Sequence, residues 1–133
     1  MEVNSMNIQD VKQMIKSYKA IQCKVRNLKL ELEETSIKSV NYNAIHISNS
    51  NISTLDNELL RKEHIEREIK SYEIQLKKIE NLLEVLTDKQ RKVIELRYIK
   101  EWSYDAITNV LYREYTSIKA IEKKAFNRLL QAI

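Results

Sequence analysis

Apolar residues recur at steps of three and four from Ile8 through Val11, Ile15, Tyr18, Ile21, Val25, Leu28 and Leu32, the stripe of an amphipathic helix. The spacing predicts a helix over about residues 7–35. The pattern breaks at residues 36–53, where nine of eighteen residues are Asn or Ser. Such side chains compete for backbone hydrogen bonds and favour turns. A long loop is expected there, with Val40, Tyr42, Ile45, Ile47 and Ile52 packing part of it down. A second helix follows over about residues 54–85. Its Ile65, Ile69, Tyr72, Leu76, Ile79, Leu83 and Leu86 alternate steps of four and three, a heptad seam with Ile69, Leu76 and Leu83 at a and the rest at d. Glu58–Lys62, Glu63–Arg67, Glu66–Lys70 and Glu73–Lys77 are i,i+4 pairs in the favourable order. Two helices of near-equal length suit an antiparallel hairpin; a parallel dimer through the second helix is the competing use of the same seam.

Shorter elements close the chain. Thr87 and Gln90 form a capping box, and Asp88 suits the positive end of a helix running to about Lys100. Trp102 and Ser103 interrupt it, and Ser103 can cap a short helix over about 104–112 carrying Ala106, Ile107, Val110 and Leu111. After a turn near Tyr112–Tyr115, a last helix over about 115–131 carries Ile118, Ile121, Ala125, Phe126, Leu129 and Leu130. Three short helices with a tight turn between the last two have the outline of a helix-turn-helix. The expected fold is all-α. Residues 1–85 would be a coiled-coil-like helical hairpin that oligomerises, and residues 86–133 a helix-turn-helix domain.

Composition sharpens this picture. The 133 residues include no glycine and no proline, which removes the cheap source of positive φ that hairpin turns, P-loops and dinucleotide-binding loops need. The net charge of +4 is unevenly placed. Residues 1–85 carry 13 basic and 13 acidic side chains, whereas residues 86–133 carry 10 basic and 6 acidic. A neutral front and a basic end point to a polyanionic partner for the end. The single Cys23 excludes an internal disulfide and, beside an apolar stripe, is expected to be a small buried thiol. The first residues lack a basic-then-apolar export pattern, and no apolar run reaches the roughly 20 residues that cross a bilayer. A cytoplasmic protein without membrane contact is expected. His64 and Glu68 sit one turn apart without a second His or Cys nearby, and His46 lies in a polar stretch, so neither histidine is read as a metal ligand. With no metal cluster, glycine loop or nucleophile–base pair, the sequence predicts neither an enzyme nor a cofactor. Trp102 is expected to anchor the core over the short helix.

From Leu86 to Leu130 the sequence resembles the C-terminal DNA-reading region of bacterial sigma factors. The run Leu86-Thr87, then Gln90-Arg91-Lys92-Val93-Ile94-Glu95-Leu96-Arg97-Tyr98, looks like that family's first helix. Leu111, Ile118, Ile121, Glu122, Ala125 and Phe126 fill its later apolar and acidic positions. With the coiled-coil-like front, the whole is similar to small phage and prophage regulators of the ArpU and RinA type, sigma-like activators of late genes. Two positions depart from the pattern. Tyr112 stands where the family has its turn glycine, and Glu114 replaces the small capping hydroxyl, which makes Thr116 an alternative cap.

The resemblance implies double-stranded DNA as partner, with contact to RNA polymerase as a further expectation. The family's base-reading positions fall on Tyr115, Thr116, Ser117, Lys119 and Ala120. Thr116 and Ala120 suit thymine methyl groups, and Lys119 a guanine edge or a phosphate. Arg113, Lys123, Lys124 and Arg128 are the phosphate candidates, with Arg91, Lys92 and Arg97 behind them. Neutralising four to six phosphates predicts a log–log salt slope of roughly −4 to −5. A single unit binds weakly, so a homodimer through the long helices, reading two half-sites, is expected. Two other functions fit the pattern: a structural coiled-coil protein whose basic end is incidental, and a small terminase-type packaging protein.

Overall fold

The computed structural model describes residues 6–45 and 49–133, and the side chains of residues 6–37 and 56–133. The described residues are helical and contain no strand. Helix α1 spans Ile8–Ile45 and α2 spans Asn49–Leu83; α3 (Asp88–Ile94), α4 (Tyr104–Leu111) and α5 (Tyr115–Ala132) follow. The Asn/Ser-rich stretch is therefore not the loop its composition predicts. It is helical at 36–45 and again at 49–53, because Asn and Ser cost only about half a kcal/mol each in a helix and no glycine or proline is present to stop it. Residues 46–48, with His46 and Ile47, lie outside the described residues, as do the side chains of Val40, Tyr42, Ile45 and Ile52.

The chain divides into two compact units, residues 1–20 with 76–133 and residues 21–75. In the first unit one core gathers Val11 and Ile15 of α1, Ile79 and Leu83 of α2, Leu86, Ile94, Tyr98, and Ala125, Phe126 and Leu129 of α5. Asn7 opens α1 reciprocally: its side chain accepts from the Asp10 N–H at 2.9 Å, and Asp10 accepts from the Asn7 N–H at 3.2 Å. The Tyr18 hydroxyl donates to Glu80 at 2.5 Å, and burial followed by that bond pushes its pKa up to about 12.

The expected capping box is present. Thr87 accepts from the Gln90 N–H at 3.2 Å, while the Gln90 side chain accepts from the Thr87 N–H at 3.1 Å. The predicted helix to Lys100 instead widens after Ile94 into a π-helical turn, Glu95–Ile99. It closes through Lys100 N–H to Glu95 C=O and Trp102 N–H to Leu96 C=O, both 2.9 Å, and Glu101 at φ 59° turns the chain away. A smaller core of Val93, Leu96, Ile107 and Ile118 forms here, with Trp102, Tyr104, Leu111 and Ile121 against it. Trp102 is thus the anchor over α4 that its sequence position implies.

In the second unit α1 and α2 run antiparallel. Lys29 pairs with Glu73 at 3.3 Å and Arg61 with Glu31 at 2.7 Å, partner numbers falling on one helix as they rise on the other. Ile21, Val25, Ile65 and Ile69 are buried. Across the chain, Ile65, Ile69, Ile79, Leu83 and Leu86 of the heptad seam are all buried internally. The hairpin therefore buries these seam residues within one chain. Leu30 and Ile37 of α1 and Leu59, Leu60 and Ile74 of α2 remain exposed. Cys23 is exposed rather than buried; it lies two residues from both Ile21 and Val25, off the stripe they define. His64 lies 3.3 Å from Glu68 on an exposed face.

Candidate nucleic-acid interface

The site is built by α4, α5 and the turn between them. Ser103 caps α4, accepting the Ala106 N–H at 3.1 Å. Tyr112 ends α4 in the left-handed region, φ 54° and ψ 46°. It fills the role of a turn glycine at a steric cost. Its ring is 93% exposed, so packing does not compensate. Two residues later Glu114 takes the extended N-cap geometry of α5 without a side-chain bond. The helix starts at Tyr115, and Thr116 is inside it rather than its cap.

α5 has two faces. Ile118, Glu122, Ala125, Phe126 and Leu129 point inward. Thr116, Lys119, Ala120, Lys123, Lys124 and Arg128 are exposed, as is Arg113 in the turn, while Ser117 is half-buried. At 3.6 residues per turn Thr116 and Ala120 occupy the crest, Lys119 and Lys123 flank it on one side, and Lys124 and Arg128 on the other. Tyr115 is half-exposed and stacks edge-on against Tyr104, ring centroids 5.3 Å apart.

Beneath this face a polar chain locks the geometry. The buried Glu122 carboxylate accepts from the Tyr98 hydroxyl and, at 2.8 Å, from that of Tyr104. Lys119 Nζ donates to the Tyr104 hydroxyl at 3.3 Å, and that bond raises its pKa. The Arg97 guanidinium lies 4.1 Å from the Tyr104 ring centroid and donates to the Trp102 carbonyl at 2.9 Å. Burial, reinforced by Glu122, drives the Tyr98 phenol far above its ordinary range. Arg97 is thereby tied to the scaffold. Arg91 lines a different groove, with Tyr18, Glu80 and Glu95.

Sequence reasoning missed one cation near this face. A groove of about 440 Å³ beside α5 is lined by Thr116, Lys119, Ala120 and Lys123, and also by Ile8 and Lys12 of α1. No local pattern links Lys12 to residues so distant in the chain.

Residues 82–130 match the Sigma-70, region 4 family. This segment is a sigma-70 region 4-like helix-turn-helix domain. No curated protein and no solved structure matches the chain. The sigma-70 region 4 family is a DNA-binding module, and α5 is the second helix of the helix-turn-helix in the matched segment. Its match starts within the last turn of α2, so α1 and most of α2 lie outside it. Among the described residues no helix is long and apolar enough to cross a membrane, and no group of three or more His, Cys, Asp or Glu side chains is placed to hold a metal ion.

Proposed function

We propose that this protein is a sequence-specific DNA-binding transcriptional regulator of the sigma-like, phage or prophage late-gene activator kind, working in the cytoplasm. α5 lies in the major groove and RNA polymerase is a further partner. One observation carries the reading: the outward face of α5 sets Thr116 and Ala120 between two pairs of cations while its inward face is fixed in a core. A helix with side chains fits the width of the major groove, so the crest meets base edges and the flanks meet phosphates. Tyr115, Ser117 and Lys119 complete the base-reading set, and Arg113, Lys123, Lys124 and Arg128 the phosphate set. Lys119, drawn toward Tyr104, is held ready near one edge of the crest.

Two copies reading two half-sites would join through the apolar side chains that the hairpin leaves exposed, Leu30, Ile37, Leu59 and Leu60, rather than through its seam. Selection of bound fragments from genomic DNA by the purified protein tests the proposal. A defined sequence should emerge; Lys119→Ala should alter it, and Lys123→Ala should weaken binding to all sequences alike. Binding no stronger than to random duplex would leave a structural coiled-coil protein instead. Ring-shaped higher oligomers would favour a packaging role.

A further inference from the structure

We infer that the first turns of α1, outside the region 4-like segment, form a second wall of the DNA interface, in which Lys12 holds a backbone phosphate beside the recognition helix. The inference rests on the placement of α5 in the major groove. The groove between these elements has Ile8 and Lys12 on one side and Thr116, Lys119, Ala120 and Lys123 on the other. Three lysines line it, and the one acid in the lining, Glu122, is only 3% exposed, with its oxygens already taken by Tyr98 and Tyr104. The accessible surface is therefore cationic. Thr116 and Ala120, from the crest, share this groove with Lys12.

DNA geometry identifies what enters it. The major groove is about 12 Å wide and a helix with side chains about 10–12 Å across, so the helix fills the groove. Whatever flanks it must be sugar–phosphate backbone. Lys12 is held for that contact: its ammonium lies 5.4 Å and 5.7 Å from the Phe126 and Tyr98 ring centroids, a cation–π seat that limits its freedom before binding. Lys16, one turn on and 5.9 Å from the Tyr98 centroid, extends the cationic stripe. Asp10 is two residues from both Ile8 and Lys12 and so falls off their shared face.

The test is fluorescence anisotropy of the full chain with a short mixed-sequence duplex across a salt series. Lys12→Gln should weaken binding roughly tenfold at low salt and reduce the log–log salt slope by about one. Lys12→Arg should retain both. Lys78→Glu, a larger charge change at an exposed site on α2, should change neither by as much. If Lys12→Gln binds like the parent while Lys123→Ala and Lys124→Ala weaken binding, the second wall is overturned and the recognition-helix reading stands. If none of the three has an effect, both fail. Amine acetylation of the unmutated protein supplies a measurement independent of folding variants. Duplex DNA should protect Lys12 together with Lys123, and undiminished reactivity of Lys12 in the complex would overturn the inference.

Discussion

Tyr112 carries a local backbone cost. A non-glycine residue in the left-handed region is disfavoured by roughly 1 kcal/mol, and the exposed ring recovers nothing through packing. Asparagine tolerates that region better, so Tyr112→Asn should stabilise the fold by about 0.5–1 kcal/mol, read from the midpoint of urea unfolding. Tyr98 sets a response at alkaline pH. Its folded pKa lies above the unfolded value, so the folded state holds the proton more tightly. The stability this gives is complete below about pH 10 and is lost as pH rises further. Tyr18 acts in the same direction up to about 12. Tyr98→Phe should flatten the alkaline limb of the stability profile while lowering stability at neutral pH. The motif positions were legible at this scale, since their residue types alone place Thr87, Gln90 and Ser103 at helix starts. Lys12 was not, because its neighbours come from the far end of the chain.

Among elements, Glu122 joins the π-helical turn, α4 and α5 through two tyrosine hydroxyls. Glu122→Ala leaves the buried Tyr98 hydroxyl and the half-buried Tyr104 hydroxyl without their acceptor and should cost about 2–3 kcal/mol, visible as a lowered thermal midpoint. Glu122→Gln keeps an acceptor oxygen and should cost less. Periodicity located the five α-helices of the described residues, because Val11–Ile15 and Ile79–Leu83 mark inward faces whatever packs on them. It failed at residues 36–45 and 49–53, where weak Asn and Ser preferences were read as a stop signal. The π-helical turn also went unseen, since Glu95–Ile99 has the composition of ordinary helix. For α5, the helix and its outward side chains were readable, yet the bond from Lys119 to Tyr104 depends on a tertiary approach that spacing does not encode.

For the whole molecule, the hairpin buries its heptad seam within one chain and leaves Leu59 and Leu60 exposed. A double change, Leu59→Glu with Leu60→Glu, places charge on exposed positions without disturbing the buried seam. It should turn a dimer into a monomer in sedimentation experiments while preserving helicity, and should weaken binding to paired half-sites more than to a single one. Val11 and Ile15 share one core with Ala125, Phe126 and Leu129, so sequence neighbours are not the partners that complete the DNA-binding unit. A protease nick between residues 21 and 75 should therefore yield two peptides that elute together under native conditions and still shift duplex DNA, separating only in denaturant. The same arrangement makes the protein a natural split reporter: halves severed in the hairpin and made separately would regain activity only on meeting.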